Sequence, residues 1–531
     1  MYSDKENINI LTTLFVGYGV RHVVVCPGSR NAAIVHNFNE CPQIECHPVT
    51  DERSAAFVAI GISQQTKSLV GVCVTSGSAL LNLLPGVAEA TYQHNGIIAI
   101  SADRPAEWIG QLDGQTMPQP AALGTFVSKS VSLPECNDDL GRWHCRRLVC
   151  EALNELINTG SSVHINVPIS EPLFHFTTEQ LPVVKAIRTM DWDCKENQDK
   201  KILSELNSAL RPMIVFGQMD KNTVNENDFE ELLSEKLVTL SEPISSNNPS
   251  PSLDIMFNII GDDTEKYKPD FLLYFGGNTI SKKLRHFLRG LNDCVVVMVN
   301  EKGEIEDVTM HADYIVKGTT GDILNTISNR YKDNNATLLY RQLWADIKKK
   351  TSQQLSQPTD KIESEAVRTF ESLMQKDSIV YYANSSAIRL AAKYANHYVM
   401  CNRGLNGIEG SMSVAVGASL ATEEKVYCVI GDLSFFYDQN ALWNQHLSGN
   451  LRILLLNNGG GAIFRGLDGL NDSPASDELV VGSHKTTAVG ACHQYGISRR
   501  MVSKFSELPD AIEWLINSES NCPLLLEVLT K

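Results

Sequence analysis

VYCVIGDLSFFYDQNALWNQHLSGNLRILLLNNGGGAIF, running from Val426 to Phe464, carries two short apolar runs that each end in polar residues. The first, Val426 to Ile430, breaks at Gly431-Asp432; the second, Ile453 to Leu456, breaks at Asn457-Asn458. Two short buried strands with a helix-length segment between them are the pattern of a βαβ unit in a parallel sheet. Ligands collect at the carboxyl ends of such strands, and both polar breaks fall there. Asp432 and Asn458, about 26 positions apart, can then share one hard cation. Oxygens of that kind suit Mg²⁺, which completes its shell with water and phosphate. Gly431, Gly459, Gly460 and Gly461 would let backbone approach a diphosphate closely. On these residues alone, a pair of βα turns with polar caps stays open as the other reading.

Outward from this stretch, the chain is too long for one core. Its 531 residues suggest three domains, at about 150 residues each. A hydrophobic share of 43% with 20% charged residues is that of a globular protein. The start, MYSDKENINI, is polar and has no apolar signal-peptide region behind it. No apolar run reaches the length of about 18 residues that spans a membrane. Thirteen scattered cysteines suit reduced thiols better than a disulfide framework. A cytoplasmic protein without stable membrane insertion is expected. Cys41, Cys46 and His47, or Cys136, His144, Cys145 and Cys150, hold potential zinc ligands, but neither set contains a C-x₂-C pair. A net charge of −16 argues against nucleic acid or an anionic membrane as partner. Any anionic substrate must therefore be drawn in by a local cationic cluster.

The fold class expected is α/β, with three consecutive α/β domains whose parallel sheets are flanked by helices. Strands are predicted at Val23–Cys26, Leu69–Val74, Ile97–Ile100 and Val163–Val167, and helices at Leu80–Tyr92 and Leu148–Ile157. Glu171–Lys201 reads as a linker. In the middle third, Met213–Phe216, Phe271–Phe275, Val295–Val299 and Tyr314–Val316 read as strands, and Ser241–Ser252 as a loop. A second linker is expected over Ser352–Ala366. The last third repeats the rhythm at Ser378–Tyr382, Tyr398–Cys401, Val426–Ile430, Ile453–Leu456 and Leu524–Leu529. The domains are placed at residues 1–180, 195–350 and 360–531.

The Gly-Asp to Asn-Asn spacing and the three-domain order resemble the thiamin diphosphate (ThDP) enzymes of the 2-oxo acid decarboxylase superfamily. The resemblance implies a pyrimidine-binding, a central and a pyrophosphate-binding domain in that order. Leu433 stands where a third glycine is commonest in the fingerprint. ThDP needs a carboxyl group beside N1′ of its aminopyrimidine, favouring the 4′-imino tautomer that deprotonates C2; an apolar pocket with a raised pKa suits that proton sharing. Glu52, in HPVTDERSAAFVAIG, is the candidate. It also precedes an apolar helical segment, so a dipole-favoured carboxylate at a helix start is the plain alternative. VCVTSGSALLNLLPGVAEA and IIAISADRP follow in the superfamily's order, which puts Thr75, Ser76, Gly77 and Asn82 near the pyrimidine.

Within the superfamily, one family is resembled more closely. CPGSRNAAI, DERSAAF, SADRP with Gly114-Gln115, HINVPISEPL, NSSAIR, NRGLNGIEG, GDLSFFYD and NNGGGAIF occur together. They resemble the 2-succinyl-5-enolpyruvyl-6-hydroxy-3-cyclohexene-1-carboxylate (SEPHCHC) synthases of menaquinone biosynthesis, a family that also carries Leu after Gly-Asp. The motifs span the first and last thirds, and the middle third matches only at GGNTISKKL. The resemblance implies a transferase that decarboxylates 2-oxoglutarate and adds the succinyl-semialdehyde carbanion to isochorismate in a Stetter-like 1,4 fashion. Both substrates are dicarboxylates, and arginine's planar fork suits them. Carried over by position, Arg30, Arg104, Gln115, Ser385, Arg389 and Arg403 become substrate-binding residues. Lys282 and Lys283 match a Lys-Arg pair, with the fork lost at the second, and Gly114 replaces a frequent Asn. Ile463 and Phe464 become an apolar wall beside the thiazolium. Gly407, Ile408, Gly431, Ser434 and Phe435 join Glu52, Thr75 and Asn82 at the cofactor, with Ile408 as the wedge that bends it. Asp432, Asn458 and the Gly460 carbonyl become ligands of Mg²⁺ (or Mn²⁺).

Glu52 and Asp432 belong to different domains, and in the superfamily such halves meet across subunits. The resemblance therefore implies a homodimer or homotetramer. Two other readings stay open. One is another ThDP carboligase or decarboxylase, acetohydroxyacid-synthase-like, which would need an apolar pocket for pyruvate's methyl group. The other is a non-catalytic nucleotide-binding module, disfavoured because no G-x-G-x-x-G follows a strand in the middle third.

Overall fold

The apolar runs become strands that pair in parallel throughout. The computed structural model describes residues 1–187, 199–221, 223, 236–332, 337–467, 469–470 and 472–530, which hold three parallel sheets covered by helices. The first contains β1 (His22–Val25), β2 (Glu45–Pro48), β3 (Val70–Val74), β4 (Ile98–Asp103), β5 (Lys129–Ser132) and β6 (Val163–Pro168), ordered β2-β1-β3-β4-β6-β5. The second contains β7 (Pro212–Phe216), β8 (Val238–Ser241), β9 (Phe271–Phe275), β10 (Val295–Asn300) and β11 (Tyr314–Lys317), ordered β11-β10-β9-β7-β8. The third contains β12 (Ile379–Tyr382), β13 (Val426–Gly431), β14 (Leu451–Asn457), β15 (Ser498–Val502) and β16 (Leu524–Leu529), ordered β12-β13-β14-β16-β15. This is the three-sheet α/β architecture expected from the sequence.

Helices cover both faces of a parallel sheet, so its inner strands read as unbroken apolar runs. VGVCV in β3 and FLLYF in β9 are buried at every position. The strands that sequence reading does not find, β2 (ECHP), β5 (KSVS), β8 (VTLS) and β15 (SRRMV), all lie at sheet edges. An edge strand needs less apolar surface, and polar residues there discourage pairing with other chains.

Five expectations need correction. Tyr398–Cys401 is not a strand: it makes one bridge, Tyr381 to Met400, because its other backbone groups turn to the central unit. There Val399 N donates to Pro243 O at 2.8 Å, and Gln218 Nε2 donates to Cys401 O at 3.3 Å. Ser352–Ala366 is not a linker throughout, since helices Leu338–Leu355 and Ile362–Glu371 leave only 356–361 between them. Its polar composition hid an amphipathic helix start that buries Ile362, Ser364 and Ala366. Leu80–Tyr92 is two helices, Ser78–Asn82 and Leu84–Tyr92, because Pro85 starts the second. Between β13 and β14, helix Asp432–Tyr437 gives way to a 3₁₀ turn, Gln439–Trp443, rather than one long helix. Asp438 lies at the break, its buried carboxylate accepting Ser413 N and Oγ at 2.7 Å each. Of the first linker, 171–187 is irregular, 188–198 lies outside the described residues, and helix Asp199–Ser208 begins before its end.

The first and third sheets share one continuous core, whereas the central sheet has a separate core on each face. Helices Glu52–Thr66 and Ser411–Leu420 join the two outer sheets by crossing at glycines. A Cβ on Gly61 would stand 2.0 Å from Val414 O, and one on Gly417 2.1 Å from Val58 O. Helix Glu52–Thr66 starts cleanly because Asp51, its N-cap, accepts from Arg53 N at 3.0 Å.

Candidate active site

Register brings the two polar breaks of the third sheet side by side. Gly431 pairs with Leu456, so Asp432 and Asn457-Asn458 leave the sheet at one level. Buried Asp432 accepts Leu433 N at 2.7 Å on Oδ1, and Gly459 N at 2.6 Å and Gly460 N at 3.0 Å on Oδ2. Those two glycines turn with φ of 73° and 143°, which a side chain would resist. His484 Nε2 approaches Asp432 Oδ2 at 3.5 Å. Asn458 donates Nδ2 to Glu363 Oε2 at 3.4 Å, while its Oδ1 is buried with no hydrogen-bond partner. An oxygen with idle lone pairs beside a buried carboxylate is what a hard cation would use. The residues fit the metal the fold family implies.

Around this pair, Ser434 Oγ donates to Ile408 O, and the Gly407 carbonyl accepts Asn384 Nδ2 at 2.7 Å. Phe435 is fully buried and Ile463 half-buried, whereas Ile408 and Phe464 are each 38% exposed. Apolar side chains left that open beside a polar cradle leave apolar surface for a ligand or a partner.

Arginines gather at the next strand end. Ser385, just beyond β12, takes φ 69° and ψ −125°, a conformation that L-residues rarely hold. It caps helix Ser386–Tyr394, which carries Arg389 one turn on. Arg403 donates Nη1 to Asn384 Oδ1 at 3.3 Å and Nη2 to Thr279 O at 2.9 Å. Burial holds Arg389 and Arg403 below the usual guanidinium pKa; the charges of Arg403 and Arg285 add to the fall at Arg389 against Asp254, and that of Arg285 adds to it at Arg403 against Glu242. The third cation, Arg285, was not foreseen. It is half-buried on helix Lys282–Arg289, between Leu284 and the buried pair Phe287-Leu288. That position at the border of the apolar face was its one sequence signal. Among the described residues none of the three arginines makes an ion pair.

The central sheet supports this cluster. Asn278 Nδ2 donates to Arg403 O at 3.1 Å, and buried Glu242 accepts Ile280 N at 2.6 Å and Ser281 N at 2.8 Å. Burial pushes Glu242 up to about 7, against the pull of those two N–H groups. From the first unit, buried Glu89 accepts Gly404 N at 2.9 Å and Leu405 N at 2.7 Å. Neither Glu242 nor Glu89 is distinctive in the sequence, because each acts through backbone that only the fold brings near. Lys282 and Lys283 are exposed, and Lys283 turns to Asn258.

The first sheet presents its own set, again at carboxyl ends. Half-buried Glu52, soon after β2, is met by Asn82 Nδ2 at 3.4 Å. Thr75 and Ser76 follow β3 and are buried. Ser76 Oγ accepts Arg104 Nη1 at 3.0 Å, and Gly77 N donates to Gln119 Oε1 at 2.7 Å. Arg104 also pairs with Asp113 and donates to Gln115 O at 3.4 Å; Gln115 itself is exposed, with φ 55°. Arg30 donates to Ile169 O at 3.2 Å and lies 3.6 Å from Glu171. Burial, then the charge of Arg104, lowers the Arg30 pKa. The structure thus assembles two sets. Among the described residues no hydrogen bond or ion pair links Glu52 to the Asp432 set.

Comparison with known proteins follows the same division. The family described as "Thiamine pyrophosphate enzyme, N-terminal TPP binding domain" matches residues 9–123, and its "C-terminal TPP binding domain" counterpart matches residues 383–528. Curated proteins named 2-succinyl-5-enolpyruvyl-6-hydroxy-3-cyclohexene-1-carboxylate synthase are similar over the full chain. The Bacteroides fragilis protein is 40% identical, covering 100% of this chain and 97% of its own. Those of Phocaeicola vulgatus and Bacteroides thetaiotaomicron are each 39% identical over 100% of this chain, with 96% and 97% of their own lengths covered.

Proposed function

The chain belongs to the SEPHCHC synthase family, ThDP-dependent transferases of menaquinone biosynthesis, and from that premise we propose its finer chemistry: decarboxylation of 2-oxoglutarate and 1,4-addition of the remaining four-carbon unit to isochorismate. Bound ThDP supplies the nucleophilic character that the 2-oxo carbon lacks by itself. Everything else falls to side chains of this protein.

The observation that carries the reading is the trio Arg285, Arg389 and Arg403, cations held together without ion pairs. A dicarboxylate relieves their mutual repulsion, and forked guanidiniums bind carboxylates bidentately. Arg30 and Arg104, with Gln115 and Ser385, serve the remaining carboxylates and hydroxyl. A pyruvate enzyme would need an apolar pocket at the place these arginines occupy. Glu52 shares a proton with the pyrimidine, oriented by Asn82, with Thr75 alongside. Asp432, the free Asn458 Oδ1 and the Gly460 carbonyl would hold Mg²⁺ or Mn²⁺, which would offset the charge of the diphosphate, with Gly431, Ser434 and Phe435 nearby. Gly407 and Ile408 shape the cofactor, and Ile463 and Phe464 wall the thiazolium. In this reading 1–180 binds the pyrimidine, 360–531 the diphosphate, and 195–350 braces Arg403. The placement of Glu52 and Asp432 on different units, with no hydrogen bond or ion pair between them among the described residues, supports a homodimer or homotetramer with sites between subunits. The free cysteines among the described residues suit the cytoplasm, and no described helix is long and apolar enough to cross a membrane.

The test is one assay with ThDP, Mg²⁺ and 2-oxoglutarate, with and without isochorismate, following isochorismate loss and product mass. Consumption that needs both substrates and collapses in Glu52→Gln is the expected result. Decarboxylation that leaves isochorismate untouched would sink the synthase chemistry while keeping the cofactor.

A further inference from the structure

Away from the strand ends that gather the arginines, three metal-ligating groups converge on one face of the first sheet. His22 opens β1 and pairs across the parallel ladder with Glu45, while His47 pairs with Val24 two positions on. Residues two apart on a strand share a face, so all three side chains project on the same side. His22 Nδ1 stands 3.1 Å from His47 Nε2 and 3.4 Å from Glu45 Oε2. The second carboxylate oxygen, Oε1, lies 4.0 Å from His47 Nε2.

The two shorter separations match the edges of a coordination polyhedron, and the third, to the other carboxylate oxygen, closes to one by a small rotation of the exposed Glu45 side chain. Ligands at 2.0–2.1 Å from a tetrahedral Zn²⁺ are separated by about 3.3 Å. We propose that His22, Glu45 and His47 form a binding site for a Zn²⁺-class divalent ion, with water in the fourth position. Two imidazoles and one carboxylate exclude the hard cation of the catalytic centre, because Mg²⁺ takes oxygen ligands, whereas imidazole suits Zn²⁺ and its neighbours in the transition series. A neutral imidazole has the lone pair that coordination needs.

The site has a structural consequence. β2 is a four-residue edge strand that ends at Pro48, shortly before Glu52. An ion bridging β1 and β2 would fasten the edge from which the Glu52 helix departs. Sequence reading had paired His47 with Cys41 and Cys46; Cys41 is instead buried in the core.

The experiment measures Zn²⁺ bound to chelator-treated, redialysed protein by elemental mass spectrometry and calorimetric titration, with Co²⁺ as an absorbance probe of four-coordination. The expected outcome is one Zn²⁺ per chain, a tetrahedral Co²⁺ spectrum and a raised melting temperature. Glu45→Gln, at an exposed position, should weaken binding at least about tenfold, and His22→Gln should abolish it. Asp432→Asn should bind Zn²⁺ as the unaltered chain does, which separates this site from the catalytic metal. Substoichiometric Zn²⁺ in the unaltered protein would overturn the proposal and leave a plain His22–His47 hydrogen bond. So would unchanged affinity in both Glu45→Gln and His22→Gln.

Discussion

Arg285 and Lys283 lie two positions apart on one helix and meet different surroundings. Lys283 is exposed and turned to Asn258, whereas Arg285 shares its surroundings with Arg389 and Arg403. A hydrogen bond from a buried cation to a carboxylate is worth about 1.5–3 kcal/mol. Arg285→Ala should therefore lower kcat/KM by roughly 10- to 100-fold, while Lys283→Ala stays within about twofold of the unaltered enzyme. Steady-state kinetics with each substrate varied checks both, and equal losses would place the missing fork at Lys283. A second residue-scale prediction concerns His164, fully buried between Ser101 Oγ at 2.8 Å and Ser130 Oγ at 3.0 Å. Burial depresses its pKa from 6.5 to about 4. Between those values the unfolded chain takes up a proton and the folded chain does not. Stability is thus complete above about pH 6.5 and falls as the pH drops towards 4, by about 3 kcal/mol in all. Glu242, raised to about 7, contributes in the opposite direction over the same range, so the readout is the difference: the urea midpoint of the unaltered protein relative to that of His164→Asn should fall from pH 7.5 to 4.5.

At the scale of elements, legibility followed burial. β3, β9, β13 and β14 were readable because both faces are covered and each carries an unbroken apolar run, Ile453–Leu456 in the case of β14, while β2, β5, β8 and β15 were hidden because edges need no such run. Strand-end residues such as Asp432 and Asn458 were readable from motif spacing. Arg285, Glu89 and Glu242 were not, since each acts on a segment remote in sequence: Glu89 holds Gly404, and Glu242 holds Ile280 and Ser281. The crossing of helices Glu52–Thr66 and Ser411–Leu420 was equally unreadable, although its cause is simple. Two backbones touch where Gly61 and Gly417 lack side chains, and this contact fixes how the Glu52 helix sits on the third sheet. Gly417→Ala puts a methyl 2.1 Å from Val58 O, where backbone must move. A destabilisation of about 3 kcal/mol follows, with lost activity from the displaced helix. Gly17→Ala supplies the control. Its Cβ would meet nothing within 4 Å, and an alanine in the last turn of helix Glu6–Tyr18 should stabilise, by up to about 0.5–1 kcal/mol. Urea unfolding of the two variants should move in opposite directions.

On the scale of the whole molecule, the shared core between the first and third sheets raises the question of which halves cooperate. Within one chain, Glu89 and Gln93, in and just after helix Leu84–Tyr92, reach the 402–405 loop, whereas Glu52 meets Asn82, the last residue of the preceding helix. If catalysis needs Glu52 of one subunit and Asp432 of another, each site in a dimer is assembled from two chains. Glu52→Gln and Asp432→Asn would each inactivate every site of their own homodimer. Unfolded together and refolded as an equal mixture, half the dimers are mixed, and each mixed dimer carries one intact site and one doubly altered site. Activity should then return to about a quarter of that of the unaltered enzyme. The same mixture without subunit exchange should stay inactive, which controls for contamination. A site built within one chain predicts no recovery under any mixing, so the assay decides between the two arrangements through activity alone. Sedimentation of the recovered fraction should show the same oligomer as the unaltered protein, because neither substitution removes an apolar contact of the shared core.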